Sequence, residues 1–136
     1  IIGAFVSVMD AGKIYNTWPL MGLSYFPDDS KIIDFLNINV FDSPSVVQFI
    51  HRNLAYLILI VYSYIFYSIL KSDNKKLLKP IVVIGLVLLL QVILGIFTLL
   101  SGVKIFYASL HQLNSILIIL STLYFIYVSK YKEKTN

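Results

Sequence analysis

The sequence predicts an all-α integral membrane protein, a four-helix bundle made of three full transmembrane helices plus the end of a fourth. Three observations carry that reading. Of the 136 residues, 58% are hydrophobic and only 13% are charged, about half the charge of an ordinary soluble domain. Apolar runs long enough to cross a bilayer recur three times. The lysines gather at the ends of those runs, so the net charge of +4 reads as a membrane-orientation signal. No basic face is left that would hold nucleic acid. The chain has no cysteine, which excludes disulfides, cysteine-ligated zinc and iron–sulfur clusters within it.

The first element, residues 1–9, is apolar but too short to span, and Asp10-Ala11-Gly12 ends it. It has no initiator Met and no basic region ahead of it, so it reads as the end of a truncated transmembrane helix and not as a signal peptide. A long polar and aromatic connection follows over residues 10–43, punctuated by Pro19 and Pro27 and closed by Pro44. Within it, residues 32–36 suit a short interfacial helix or an ordered loop. The three full spans are expected at 44–70, 77–101 and 104–129. Each is roughly 25 residues, enough for about 30 Å of hydrocarbon with some tilt. Pro44 suits a first helical turn, with Ser43 or Ser45 as a cap.

Lys71, Lys75, Lys76 and Lys79 sit between the first two full spans, and Lys130, Lys132 and Lys134 follow the last. By the positive-inside rule that side is cytoplasmic, including the C-terminus. The connection 10–43 carries Asp10, Asp28, Asp29, Asp34 and Asp42 against Lys13 and Lys31, and is expected on the outer side with the tight Gly102-Val103 turn.

This topology places two histidines at one level. His51 lies seven residues in from Pro44, and His111 seven residues in from Lys104, each on a helix entering from outside. Both fall roughly 10 Å below the outer boundary at the helical rise. On the intervening span Gln91, Gly95, Thr98 and Gly102 share one small, polar stripe, and Gly95 reaches the same level. A glycine there leaves room for a flat, wide ligand. Two neutral imidazoles at equal depth on different helices suggest the axial ligands of one haem iron. The plainer alternative is helix–helix hydrogen bonding, the usual role of a lone histidine in a membrane helix. Zinc fits poorly, because two histidines leave it short of ligands. Arg52 reads either as a snorkelling interface residue or as the partner of a haem propionate. Gln48, one turn before His51, either orients that ring or bonds a neighbouring helix. Gly95→Leu is expected to lower haem occupancy, and Gly85→Leu, nearer the lysine-rich end, is not.

These residues resemble the haem A synthase family of the inner membrane, specifically the C-terminal half of its alphaproteobacterial and mitochondrial type. The resemblance rests on GAFVSVMDAGKIYNTWPLMG (3–22), VQFIHRNLAY (47–56), QVILGIFTLLSGV (91–103) and LHQ (110–112). The NTWPLMG loop is its most specific part, and the absence of cysteine separates the chain from the Bacillus-like type. The resemblance implies half of an eight-helix, pseudo-symmetric protein of two similar bundles, in the bacterial plasma membrane. It implies a haem A synthase-type oxidoreductase that converts the C8 methyl of haem O to the formyl of haem A. His51 and His111 would then be the bis-histidine ligands of the cofactor haem B, with Arg52, Gln48 and Gly95 around it. The substrate haem O would bind the N-terminal half, an implied partner along with membrane lipid, haem O synthase and an electron donor. The family's N-terminal bundle is similar in carrying an acidic residue three positions before its HR histidine. Here that position is Gln48, so no catalytic residue is expected in this half, and the fragment alone should be inactive. A non-enzymatic haem b membrane anchor for electron transfer is the alternative. Half of a transporter with a histidine proton relay is weaker, because the spans lack central acidic groups.

Overall fold

The structure is a computed structural model describing residues 2–31, 33 and 40–131. The described residues form four α-helices: α1 (Ile2–Val8), α2 (Pro44–Lys71), α3 (Leu78–Leu100) and α4 (Ile105–Tyr131). Among the described residues there is no strand, only an isolated antiparallel bridge between Met21 and Ser24 in the loop after α1. The interfacial helix considered at 32–36 lies, apart from Ile33, outside the described residues, as do Lys132 and Lys134.

Each long helix begins and ends where its local chemistry requires. Pro44 opens α2 at the position where a missing N–H costs nothing. Ser43 supplies no side-chain cap, and the Ser45 hydroxyl donates instead to Asp29 Oδ2 at 2.6 Å, tying the loop to the first turn of α2. At the other end Lys75 Nζ donates to the carbonyls of Leu70 (3.5 Å) and Ser72 (3.2 Å), a cation placed on the negative pole of the helix. A 3-10 turn over Lys75–Leu77 then starts α3. The α3–α4 connection is tight: Gly102 has φ 70° and Val103 φ 61°. Left-handed geometry is free for glycine but costs a β-branched residue roughly 1–2 kcal/mol. Val103 holds it because its Cγ2 presses on Gly12, where an added Cβ would stand 3.0 Å away.

The bundle buries a few polar side chains and turns much of its apolar surface outward, unlike a water-soluble fold. Ser45, Gln48 and Asn114 are only 2–4% exposed, while Ile60 (67%), Leu86 (64%) and Leu113 (60%) face outward. Polar groups kept inside and apolar ones outside are what a lipid solvent selects. The helices Pro44–Lys71 and Ile105–Tyr131, and the stretch Lys75–Leu100, are each long and apolar enough to cross a membrane. At the lysine-rich end Ile69, Ile81 and Ile84 form a small core with Tyr62, Phe66, Leu77, Leu78 and Phe125 around it. Tyr62 donates to the Ile81 carbonyl at 3.2 Å, and it can do so only because residue 85 is glycine. A Cβ there would lie 2.0 Å from the phenolic oxygen. Gly85→Leu would therefore unseat Tyr62, so it is a packing change in its own right and not an undisturbed comparison for Gly95→Leu.

Candidate functional site

The helix pairs α3–α4 and α1–α2 pack closely, whereas α2 and α4 barely approach each other backbone to backbone. Across that separation the two histidine rings meet. The centroids of His51 and His111 are 6.4 Å apart and their planes are inclined at 82°. Two metal–nitrogen bonds of about 2 Å each, plus about 1 Å from each nitrogen to its ring centre, sum to roughly 6 Å, so the spacing suits one metal ion between the rings. Among the described residues no group of three or more His, Cys, Asp or Glu side chains gathers to hold a metal. The site offers a pair, the number needed when a planar macrocycle fills the other positions.

Glycines stand behind both rings. His51 Cε1 would be 3.6 Å from a Cβ at Gly3, and His111 Cε1 3.0 Å from one at Gly95. The sequence leaves the space at Gly95 for a ligand; in the structure the His111 ring occupies it. That ring is held firmly. Its Nδ1 lies 3.1 Å from the Gln91 carbonyl oxygen, which can only accept, so Nδ1 carries the proton and donates. In the neutral ring Nε2 then has the free lone pair, and the Gln91 side-chain amide approaches it at 3.4 Å. Asn114 Nδ2 donates to Gln91 Oε1 at 2.8 Å and to the Val87 carbonyl at 3.0 Å. Sequence reasoning found Gln91 and missed Asn114. The available signal was its place one turn after His111, on the same helical face.

Arg52 and Gln48 face the loop. Arg52 donates through Nη1 to the carbonyls of Thr17 (3.0 Å) and Leu20 (3.2 Å), and through Nη2 to that of Tyr15 (3.0 Å). Gln48 Nε2 donates to the same Tyr15 carbonyl at 2.9 Å. The NTWPL stretch is thus drawn down over the start of α2 and the end of α3, and Asn16 fixes it further by donating to the carbonyls of Gly12 (2.8 Å) and Leu99 (3.0 Å). Within the loop Thr17 Oγ1 accepts from Gly22 N–H, and Tyr25 donates to Asn53 Oδ1 at 2.6 Å. Asp29 is held below the usual carboxylate value, chiefly because the Ser45 hydroxyl donates to it.

The family described as cytochrome oxidase assembly protein matches residues 1–123. Heme A synthase of Pelagibacter ubique is 42% identical over 130 residues, covering 93% of this chain and 37% of that protein. Heme A synthases of Wolbachia pipientis wMel (38% over 126 residues, 93% and 34%) and Rickettsia felis (39% over 118 residues, 87% and 35%) are similar. The chain spans about a third of the length of these curated relatives. No solved structure matches.

Proposed function

The chain belongs to the cytochrome oxidase assembly protein family and is integral to the membrane, and from that premise we propose that it is the C-terminal, cofactor-holding half of a haem A synthase. The observation that carries the reading is the His51–His111 pair, 6.4 Å between centroids, with Gly95 tight behind the His111 ring. His51 and His111 would hold haem B by its iron, and Gly95 would let the His111 ring lie close against α3. Haem iron ligated by two histidines has no open position for a substrate, so the group would supply one-electron transfer.

The protein's own residues support that division of labour. Gln48 is buried and donates to a carbonyl; a carboxylate there would oppose an acceptor with an acceptor. This half therefore lacks the acidic group that would serve the oxidation of haem O, and that reaction, C8 methyl to formyl, belongs to the counterpart half of the intact protein. His111 is fixed as the Nδ1–H tautomer by Gln91, which leaves Nε2 as the ligating nitrogen. Arg52 and Asn16 hold the loop over the outer helix ends, restricting water above the rings. Lys71, Lys75, Lys76 and Lys79 favour a cytoplasmic hairpin in the plasma membrane, with the loop outside. Haem O synthase as supplier and a separate electron donor are the partners this chemistry needs.

The direct test uses the intact protein with His51→Ala or His111→Ala and measures haem B by its pyridine adduct spectrum. Each variant is expected to lose most of the haem B. Full retention in both would exclude the pair as ligands. Haem extracted from cells with and without the gene separates the synthase from a simple haem b anchor, because only a synthase alters the ratio of haem A to haem O.

A further inference from the structure

The polar network behind His111 has one position too many. Gln91 reaches that ring twice, through its carbonyl to Nδ1 at 3.1 Å and through its amide to Nε2 at 3.4 Å. The first bond orients the ring. The second is long and weak, and it occupies the nitrogen that a metal would need. One residue away, Asn114 is 4% exposed, and its Oδ1 is a buried acceptor with no hydrogen-bond partner. A buried orphan acceptor costs on the order of 1–3 kcal/mol and calls for an explanation. Its neighbour supplies one: Asn114 Nδ2 already donates to Gln91 Oε1 at 2.8 Å, so the two amides lie edge to edge.

On this basis, and resting on the ligand role given to His111 above, we infer that the Gln91 side chain is a displaceable placeholder on His111 Nε2, with Asn114 Oδ1 as its second partner. With Nε2 given over to a haem iron, the Gln91 amide would turn from the ring to Asn114 Oδ1, and the two amides would close a reciprocal pair. Asn114 Oδ1 would then have a donor, and Nε2 would keep a partner. Gln91 and Asn114 are positioning residues: they touch the ligand ring and each other, not the reacting centre. The bond from the Gln91 backbone carbonyl to Nδ1–H persists throughout, so the ring keeps its tautomer while Nε2 changes partner.

The device predicts an unusual pattern of coupling. Take the intact, haem-loaded protein as Asn114→Leu, Gln91→Leu and the double variant. Equilibrate each with a haem-scavenging apoglobin, and read the haem B retained together with the low-spin optical spectrum. Asn114→Leu leaves the Gln91 amide no alternative to Nε2, so retention is expected to fall about 2- to 10-fold, the effect of one competing hydrogen bond. Gln91→Leu removes the competitor and is expected to hold haem B at least as well as the native protein. The double variant is expected to regain what Asn114→Leu loses. A merely structural role would make the two losses additive; additive loss, or reduced retention in Gln91→Leu alone, overturns the inference. If Asn114→Leu fails to accumulate, Gln91→Leu decides by itself in the same way. His111→Ala separates the levels: haem B surviving that change defeats the ligand reading itself. Loss of haem B in His111→Ala, with additive behaviour at 91 and 114, defeats only the placeholder.

Discussion

Two glycines show how sharply single positions are defined. At Gly95 an added methyl would meet His111 Cε1 at 3.0 Å, so Gly95→Ala should displace the ring by a few tenths of an ångström, and Gly95→Leu should drive it from its place. The expected readout is a graded loss of haem B from the intact protein, small for Ala and near complete for Leu. Gly85 faces a harder limit, 2.0 Å from the Tyr62 hydroxyl. Gly85→Ala should destabilise the bundle by about 1–3 kcal/mol, as overpacked sites do. Tyr62→Phe in the same chain should recover part of that loss, measured by thermal unfolding in detergent. The stripe through Gln91, Gly95 and Thr98 was legible because it follows the helical period. The Gly85–Tyr62 contact was not, because it joins two helices and depends on where a tyrosine ring happens to turn.

At the scale of elements, the loop after α1 behaves as a cover clasped by one guanidinium. Arg52 spreads its bonds over three carbonyls, a task for a planar fork that lysine lacks. Arg52→Lys should therefore loosen the loop despite keeping the charge, and limited proteolysis within residues 14–26 should quicken several-fold. Asp29 gives the loop a pH dependence. Its folded pKa lies below its ordinary 3.8, so its contribution is fully present above that value and is lost as pH falls through the lower, folded one. The same proteolysis should accelerate below about pH 4, and Ser45→Ala should remove most of that acid sensitivity by removing the main cause of the shift. The helices themselves were readable from apolar run length, Pro44 and the lysine clusters, to within two residues at each end. The clasp was not. Arg52 and Thr17 lie 35 positions apart in the chain, and hydrogen bonds to backbone carbonyls leave no mark in side-chain pattern.

For the whole molecule the governing fact is the solvent. With Ser45, Gln48 and Asn114 interior and many leucines and isoleucines outward, the bundle leaves much apolar surface uncovered, and the bilayer supplies the rest of its environment. The approach of the two histidine rings was foreshadowed at this scale, because the common level expected for them follows from span length and topology alone. The polar relay from His111 through Gln91 to Asn114 was not, because it requires knowing that α3 and α4 pack closely along their length. Topology gives its own prediction. A single cysteine introduced at Asn74, in a background otherwise free of cysteine, should react with an impermeant thiol reagent only from the cytoplasmic face. One at Trp18 should react only from the opposite face. Labelling with the reverse sidedness would invert the orientation proposed here.

His51 and Arg52 are consecutive residues: one ring looks into the bundle while the next side chain fastens the cover above it. A single peptide unit thus joins the loop's clasp to the imidazole proposed as a ligand. Nicking the chain between Thr17 and Leu20 in the loaded protein should register at the iron, as broadened ligand-field resonances, before any haem is lost.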